Sequence, residues 1–318
     1  MFDLVALGEL LVDFTELGIS ENNQKLFEQN PGGAVANVAC AASRLGVKTS
    51  FIGKVGNDMH GVFLASTLQN TGVNIDNLII SDEVFTTLAF VALSKNGERA
   101  FSFARKPGAD TCLKAEEIQE ELLSQCKIFH VGSLSLTDEP AREATLHAVK
   151  MAKSHGVVIS YDPNYRAMLW KSKSDAMLHM RSILQYADLV KMSDEETVML
   201  TDSEDPQQAL QYLLSNGARI AVITLGDRGA MLGFNGMYVK VPAFNSSEVV
   251  DTTGAGDAFW GAFLSRMLKS VPINDLNIDM LTEYLRFSNA AAALCVTKRG
   301  AIPAMPTEEE VRRHIEKI

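Results

Sequence analysis

The chain has 318 residues, of which 47% are hydrophobic and 21% are charged, a composition typical of a globular protein that buries a large core. Its net charge is −10 and it has no lysine or arginine cluster, which argues against a nucleic-acid partner or an anionic membrane surface. Four cysteines without a Cys-x-x-Cys pair, an acidic residue at position 3 and the lack of a membrane-spanning apolar run predict a cytoplasmic protein.

Short apolar strands alternate with helical stretches along the chain. The predicted strands cover residues 4–7, 51–55, 128–132, 157–161, 189–192 and 221–225. Amphipathic helices are predicted between them, among others at residues 59–69, 142–154 and 176–186. This alternation predicts βαβ units, and hence a mostly parallel sheet covered by helices on both faces. Because no linker is long enough to separate two domains, we expect a single domain over residues 1–318.

Two regions depart from this alternation. Residues 10–27 and 86–103 alternate apolar and polar positions, as strands do. The second region contains a Ser-Lys-Asn-Gly segment at 94–97, which is typical of the turn of a β-hairpin. We therefore expect these two regions to form a small sheet of their own. Near the C-terminus, Thr307 and Glu310 have the spacing of a capping box and predict a final helix.

A helix opened by two glycines begins near Gly33 and carries a polar side chain on an otherwise small, apolar surface. Tight packing explains its alanines but not Asn37, which lies one turn into the helix and is placed to bind a polyol hydroxyl together with the Gly33 amide. Asp13, expected at the end of the first strand, is a second candidate for holding paired hydroxyls. Open α/β sheets bind their ligands at such carboxyl ends.

Three later segments place polar groups at the ends of strands. Residues 162–166 form a turn by composition, and they are either ordinary loop or ligand contacts. Ser193 and Glu196 have capping-box spacing; alternatively, Glu196 organises water around Mg²⁺ while Lys191 faces nucleotide phosphates. Residues 224–229 contain a hydroxyl and glycines that permit the close approach of a nucleotide. All three segments fall at one edge of the predicted sheet.

Residues 251–260, Asp-Thr-Thr-Gly-Ala-Gly-Asp-Ala-Phe-Trp, carry the most specific signal in the chain. The glycines predict a tight turn that opens a buried helix, whose first N–H groups and positive dipole end form an anion site. Asp257 lies at that helix start. It is either a simple helix cap or a base beside an anion hole, and the second interpretation predicts phosphoryl transfer to a hydroxyl.

The two common nucleotide motifs are excluded for this segment. No Lys-Ser or Lys-Thr pair follows the glycines, as a Walker A loop requires, and Lys54 elsewhere in the chain is followed by valine. The dinucleotide fingerprint needs a third glycine three residues further on and a position in an early strand-helix unit. The anion site at residues 254–257 is therefore of another kind.

Together these segments resemble the ribokinase-like (PfkB) carbohydrate kinases, and within that family the fructokinases, over nearly the whole chain. The segments that carry the resemblance are residues 8–14, 32–37, 51–56, 160–164, 251–259 and 297–303. The resemblance implies a three-layer α/β/α domain with a mostly parallel central sheet, and a small β-sheet lid formed by residues of about 10–33 and 86–107. It also implies ATP-dependent phosphorylation of the primary alcohol of a sugar, converting fructose to fructose 6-phosphate.

The resemblance assigns roles residue by residue. Asp257 would be the general base, and the amides of Gly254-Ala255-Gly256 would form the anion hole. The residues implied to bind the sugar are Asp13, Gly32, Gly33, Asn37, Arg105, Asp162 and Arg166. Those implied to bind ATP are Lys191, Ser193, Thr224, Gly226, Gly229 and Asn289. Glu196 would hold Mg²⁺ through water. A monovalent cation, usually K⁺, would be bound mainly through backbone carbonyls around Asp251, Thr253, Cys295, Lys298 and Gly300.

Two positions depart from the wider family. Ala304 stands where ribokinases have a serine that adds a cation ligand. Ser193 stands where the general family motif has asparagine, and fructokinases resemble this chain there. Two other functions stay open: a kinase of the same fold that acts on 2-keto-3-deoxygluconate or another sugar or nucleoside, and a catalytically silent sugar-sensing regulator. The family also favours a homodimer formed through the lid.

Overall fold

Two separate β-sheets organise the part of the chain that the computed structural model describes, residues 1–93, 99–244 and 248–317. The turn predicted at 94–97 lies outside these ranges. The strands are β1 (Leu4–Leu7), β2 (Leu11–Ile19), β3 (Lys25–Gly32), β4 (Thr49–Gly56), β5 (Leu78–Ser81), β6 (Leu88–Leu93), β7 (Arg99–Ala104), β8 (Ile128–Val131), β9 (Val158–Tyr161), β10 (Leu189–Ser193), β11 (Ile220–Thr224), β12 (Ala230–Phe234) and β13 (Met237–Val241). The helices are α1 (Ala34–Arg44), α2 (Met59–Asn70), α3 (Glu120–Ser124), α4 (Ala141–Ser154), α5 (Lys173–Leu184), α6 (Asp194–Thr201), α7 (Pro206–Ser215), α8 (Ala255–Leu268), α9 (Ile278–Cys295) and α10 (Glu308–Glu316).

The larger sheet has the strand order β13-β12-β11-β10-β9-β8-β1-β4-β5. Its strands from β11 to β5 run parallel, and only the β11-β12 and β12-β13 pairs are antiparallel. The six predicted strands and three predicted helices are all present. α5 begins at Lys173 rather than 176, because the Ser172 side chain accepts a hydrogen bond from the Asp175 N–H at 3.0 Å and starts the helix there.

Strand β1 shows why this sheet was recognisable from its sequence. All four of its residues are fully buried. Val5 and Leu7 pack into the core on one face, while Leu4 and Ala6 pack into clusters on the other. A parallel sheet covered by helices on both faces produces such continuous apolar strands. Its carboxyl edge is then the open edge at which polar groups can gather.

The smaller sheet has the order β3-β2-β6-β7 and is built from the two regions that broke the strand-helix alternation. β2 and β6 run parallel, and Phe14 of β2 stacks on Phe90 of β6 with ring centroids 5.3 Å apart. Asp13 lies within β2, so its predicted position at the end of the first strand is wrong. The chain leaves β1 at Leu7 and begins a new strand, which the Val12 N–H aligns with β6 by donating to the Thr87 carbonyl at 3.1 Å.

Helices α1 and α8 pack closely and bring their first turns together. Gly261 of α8 makes this approach possible, since a β-carbon there would lie 2.5 Å from Ala41 Cβ and 2.8 Å from the Val38 carbonyl oxygen of α1. α1 starts beside the carboxyl end of β1, where Glu9 Oε1 accepts a hydrogen bond from the Ala34 N–H at 2.6 Å. The two helix starts therefore meet at the open edge of the large sheet. Within the described ranges, no helix has both the length and the apolar character needed to cross a bilayer.

Candidate active site

Asp257 lies buried in the first turn of α8, at the edge where the two helix starts meet. Amide groups engage both of its carboxylate oxygens: Asn37 Nδ2 lies 2.8 Å from Oδ2, and Asn164 Nδ2 lies 3.1 Å from Oδ1. A helix-capping carboxylate would instead accept bonds from N–H groups of its own first turn. Asp257 is thus held by other elements of the fold, between α1 and the turn that follows β9.

The environment of Asp257 acts on its proton affinity in two directions. Burial raises the pKa of Asp257 above its ordinary value. The Lys191 ammonium, the two amides and Arg166 oppose that rise because they favour the ionised form. A general base works best when its pKa lies near the working pH rather than far below it. This carboxylate is therefore suited to accept a proton from a bound hydroxyl.

The turn before Asp257 presents backbone N–H groups at the start of α8. Gly254 has a φ of 78°, a left-handed conformation that favours glycine, and a β-carbon there would also lie 2.7 Å from Ala301 Cβ. The helix then begins at Ala255, whose N–H donates to the Thr252 carbonyl at 3.3 Å, and the N–H groups of Gly256 and Asp257 have no acceptor within the helix. Together with the positive end of the helix dipole they form a site that favours an anion such as phosphate.

A buried ion pair lies against this turn. Lys191 Nζ is 2.7 Å from Asp162 Oδ2, and a β-carbon on Gly256 would lie only 3.0 Å from the same Nζ atom. Burial raises the pKa of Asp162 to about 7, against the lowering effect of Lys191. Burial alone would lower the pKa of Lys191, but nearby carboxylates, foremost Asp162, hold it above its ordinary value. A protonated ammonium is thus fixed beside the anion site.

The predicted sugar-binding residues Asp13 and Gly32 are neighbours in the small sheet. A β-carbon on Gly32 would lie 2.3 Å from Asp13 Oδ2, so the glycine leaves room for the carboxylate. Burial raises the pKa of Asp13 to about 6; Arg166 lowers it and Asp251 raises it. Arg166 is exposed and also lowers the pKa of Asp257. The charge of Arg166 therefore acts on both carboxylates across the mouth of the site.

Asn37 and Gly33, two predicted sugar ligands, lie at the start of α1, and Asn37 has a protein partner that the sequence did not predict. Its Nδ2 group donates to Asp257, while its buried Oδ1 atom has no hydrogen-bond partner among the described residues. Gly33 has a φ of 116°, and a β-carbon on it would lie 2.3 Å from the Glu9 carbonyl oxygen. The arrangement leaves an acceptor on Asn37 that a hydroxyl can satisfy.

Arg105 is placed differently from the other predicted sugar ligands. It is buried, and its Nε atom donates to Asp110 Oδ2 at 2.8 Å, Nη1 to Thr137 Oγ1 at 2.8 Å and Nη2 to the Leu134 carbonyl at 2.9 Å. All three guanidinium nitrogens are therefore engaged with the protein. In this arrangement Arg105 anchors the chain that returns from β7, and Arg166 is the arginine whose charge reaches Asp257.

Ser193 and Thr224, two of the predicted nucleotide ligands, end adjacent parallel strands in register. The Ser193 N–H and hydroxyl both donate to Glu196 Oε2, at 2.8 and 3.1 Å, which is the carboxylate half of the predicted capping box. Glu196 Oε1 accepts a bond from the Tyr165 N–H at 2.6 Å. Glu196 thus connects the start of α6 with the turn after β9, and it lies at the same edge as Lys191.

The remaining predicted nucleotide ligands surround the β12-β13 hairpin. Gly226 has a φ of 61° and open space around it. Gly229 is constrained by the protein itself, since a β-carbon there would lie 2.1 Å from the Val241 carbonyl oxygen. Asn289 Nδ2 donates to the same carbonyl at 3.2 Å and to that of Pro242 at 3.0 Å. Gly229 and Asn289 therefore fix the end of the hairpin beside the predicted nucleotide site.

The predicted cation loop is organised by Asp251. Its Oδ1 atom accepts bonds from the Thr253 N–H and hydroxyl at 2.9 and 2.7 Å, and its Oδ2 atom accepts from the Gly300 N–H at 3.1 Å. Cys295 Sγ lies 3.9 Å from the Thr253 carbonyl, and the Lys298 ammonium pairs with Glu310 outside the loop. Over the described residues, no three His, Cys, Asp or Glu side chains cluster to hold a metal. The Asp251 carboxylate thus ties together Thr253 and Gly300, two residues of the predicted cation loop.

Two residues of the site were missing from the sequence-based assignment. Asn164 was seen only as part of a turn, and Glu9 only as part of a family segment. Glu9 is buried, and burial raises its pKa to about 7. Polar side chains directly after a buried parallel strand were the available signal for both, because β1 and β9 end at the open edge of the sheet.

Comparisons with known proteins agree with this geometry. The model of the pfkB family carbohydrate kinases matches residues 1–308. Fructokinase-1 from Zea mays is 42% identical over 317 residues, which cover 99% of this chain and 98% of that protein. A crystal structure of fructokinase with bound ATP from Xylella fastidiosa has a TM-score of 0.92 at 33% identity, covering 100% of this chain and 99% of that one. A fructokinase double mutant from Vibrio cholerae O395, with fructose, ADP and potassium ion bound, has a TM-score of 0.88 at 31% identity, covering 98% of this chain and 97% of that one.

The chain belongs to the pfkB family of carbohydrate kinases. The fold predicted from the sequence, an α/β domain with a large, mostly parallel sheet of the ribokinase-like kinases, is confirmed. The family predicted from residues 251–259 and the other segments is confirmed as well.

Proposed function

We propose that this chain is an ATP-dependent fructokinase, which converts D-fructose and ATP to D-fructose 6-phosphate and ADP. One observation carries the proposal: the buried carboxylate of Asp257 stands directly after the glycine turn that opens α8 as an anion site. The full-length similarity to fructokinases supports fructose as the sugar.

Proton abstraction and charge stabilisation are assigned to neighbouring groups. The Asp257 carboxylate accepts the proton of the sugar's primary alcohol while that oxygen bonds to the γ-phosphorus of ATP. The bond from the γ-phosphorus to the bridging oxygen breaks, and ADP leaves with the electron pair. The N–H groups of Gly254-Ala255-Gly256 stabilise the negative charge on the transferred group, and the Lys191 ammonium beside Gly256 adds a full positive charge.

The sugar is held on the side of the small sheet. Asp13 accepts hydrogen bonds from its secondary hydroxyls, and the unpartnered Asn37 Oδ1 atom accepts another. Gly32 and Gly33 keep this space free of side chains. Asp162, Arg105 and Arg166 complete the proposed sugar side, the first two through the groups they anchor and Arg166 through its exposed guanidinium.

The nucleotide lies along the carboxyl ends of β10 and β11, where Ser193, Thr224 and Gly226 line its path and Asn289 and Gly229 fix the adjoining hairpin. Glu196 would hold Mg²⁺ through water, and the ion would neutralise phosphate charge. The loop organised by Asp251 and Gly300 would hold K⁺. The bound ATP and potassium ion in the similar fructokinase structures support the nucleotide and K⁺ assignments.

A second candidate substrate is 2-keto-3-deoxygluconate. The exposed Arg166 guanidinium lowers the pKa of both Asp13 and Asp257, so its charge acts on the space between them and would attract a substrate carboxylate there. Fructose, which is neutral, leaves this cation without a charged partner on the substrate. The choice between the two sugars therefore depends on how much binding free energy a carboxylate gains at Arg166.

A coupled assay of ADP release over fructose, 2-keto-3-deoxygluconate, ribose and nucleosides tests the proposal. We expect the highest kcat/KM with fructose, and a product phosphorylated on the primary alcohol. Asp257→Asn is the matched control, with kcat lowered by roughly 10²-fold to 10⁴-fold at nearly unchanged ATP affinity. ADP release with 2-keto-3-deoxygluconate but not with fructose would reassign the substrate to the keto-acid. A folded protein that is inactive with every sugar would favour a silent sugar sensor.

We also propose that the chain works as a single domain, with residues of about 10–33 and 86–107 as a lid, in the cytoplasm. A homodimer formed through this lid is expected. Leu17, Ile19 and Leu26 of the small sheet expose apolar side chains that such a contact would cover. Analytical ultracentrifugation of the wild-type protein and of an Ile19→Lys variant checks the dimer. The wild-type protein is expected to sediment as a dimer and the variant as a monomer.

A further inference from the structure

Asn164 has an uncommon backbone conformation directly beside Asp257. Its φ of 49° lies in the left-handed region, which asparagine adopts more readily than most residues that carry a side chain. The side chain is buried, and its Nδ2 atom reaches Asp257 Oδ1. Such a conformation persists where the surroundings fix it, and it is often found at functional sites.

The turn that carries Asn164 is fixed on both sides. Before it, the Asp162 N–H donates to the Val131 carbonyl at 3.2 Å, and the Asp162 carboxylate bonds to Lys191. After it, the Tyr165 N–H donates to Glu196 Oε1. These bonds tie the turn to β8, β10 and α6. The amide of Asn164 is therefore presented to Asp257 from a rigid support.

We propose that Asn164 is a positioning residue that, together with Asn37, fixes the plane of the Asp257 carboxylate for proton abstraction. The two amides come from different elements and engage different oxygens. Rotation of the carboxylate about its Cβ–Cγ bond therefore breaks at least one hydrogen bond. Without Asn164 the carboxylate keeps a single tether at Asn37. This inference rests on the proposed function, because it takes Asp257 as the base.

The same contact influences when Asp257 is ionised. Titratable and charged groups face it from several elements. Lys191 of β10 and Arg166 in the turn after β9 lower the pKa of Asp257, and Asp257 in turn raises the pKa of Asp162 and of Cys295 at the end of α9. The Asn164 amide donates to the ionised carboxylate and so lowers the pKa of Asp257. Loss of this amide is expected to move the acid limb of the kcat profile to higher pH, which a purely structural defect would not do.

Asn164→Gly is the most direct test, since glycine adopts a φ of 49° without strain and removes only the side chain. Asn235→Gly is the matched control: Asn235 has a φ of 48° in the turn between β12 and β13, next to the start of β11 and so at the edge of the sheet opposite Asp257. We expect Asn164→Gly to lower kcat by about tenfold to a hundredfold, with the KM values for fructose and ATP changed by about twofold at most. Its acid limb should shift to higher pH, while the control resembles wild type.

Asn164→Asp provides a second variant, because aspartate also tolerates this conformation but offers no N–H donor and faces Asp257 with a like charge. Its kcat is expected to fall further than that of Asn164→Gly. Wild-type kcat and pH profile in both folded Asn164 variants, or an equal loss in Asn235→Gly, would overturn the proposal. Failure of the wild-type protein to phosphorylate fructose would instead contradict the proposed function, and the positioning role with it.

Discussion

At the scale of single residues, the absence of a side chain at Gly256 determines where the Lys191 ammonium lies. The Lys191 ammonium occupies space next to Gly256 that a β-carbon would crowd, and Asp162 holds the ammonium there. The glycine is therefore required by a neighbouring side chain rather than by its own backbone. Gly254 differs, since its left-handed φ and the nearby Ala301 constrain the backbone itself.

This difference predicts opposite effects on stability. Gly256→Ala should leave the melting temperature unchanged or slightly higher, because alanine favours the helix and a lysine tip can move aside. Its kcat should fall about tenfold, since the ammonium is displaced from its place beside Gly256. Gly254→Ala, the matched comparison, should lose stability as well as activity. Calorimetry and steady-state kinetics on both variants check this, and full activity in Gly256→Ala would show that the position of Lys191 does not matter.

Asp13 leads to a second prediction at this scale. Replacement by alanine removes a charged acceptor, so fructose binding should weaken by on the order of 1.5–3 kcal/mol. Gly32, which makes room for the carboxylate, has no side chain that could replace the lost acceptor. Isothermal titration calorimetry with fructose measures the effect. An unchanged affinity in a folded Asp13→Ala protein would remove Asp13 from the sugar site.

At the scale of elements, the small sheet formed by β2, β3, β6 and β7 carries Asp13 and is proposed as the lid over the sugar. A base and an activated phosphoryl donor that stay open to water would hydrolyse ATP without a sugar. We therefore expect fructose and a nucleotide analogue to order this sheet. Hydrogen exchange should show slower exchange in these four strands on ligand binding and little change in the central strand β1. Equal protection with and without ligands would contradict the lid.

The elements also show how far the sequence alone reaches. The apolar strands of the large sheet and the glycine turn at 254–256 were predictable, because burial on both faces and left-handed backbone leave local patterns. The amide contacts of Asn37 and Asn164 with Asp257 were not, since they join segments whose approach depends on the packing of α1 against α8. Gly229 looked like a nucleotide contact, but a nearby carbonyl explains why it is glycine. The assigned roles in binding and catalysis stay predictions.

At the scale of the whole molecule, buried carboxyl groups make stability depend on pH. Burial raises the pKa of Glu9 to about 7. A carboxyl group whose pKa is higher in the folded than in the unfolded state stabilises the fold at low pH, and this contribution is lost as pH rises through the folded-state pKa. Between pH 5 and pH 8, wild-type Glu9 should therefore reduce the free energy of unfolding.

Glu9→Gln tests this dependence, because glutamine keeps an acceptor for the Ala34 N–H but does not ionise. Relative to wild type, the variant should gain on the order of 2 kcal/mol in the free energy of unfolding between pH 5 and pH 8. Urea denaturation at both pH values measures the difference, with Glu21→Gln at an exposed position as the control. An identical pH dependence of Glu9→Gln and wild type would show that Glu9 does not ionise in this range.

The two amide contacts of Asp257 span 220 and 93 residues of sequence. A nascent chain that ends just after β9 carries Asp13 and Asn37 of the proposed sugar side, but it lacks Asp257 and the glycine turn that opens α8. Fructose and ATP therefore offer such a chain little of the stabilisation that a complete site gains on binding. Until α8 has left the ribosome and docked on α1, we expect substrate to give the chain little protection from aggregation.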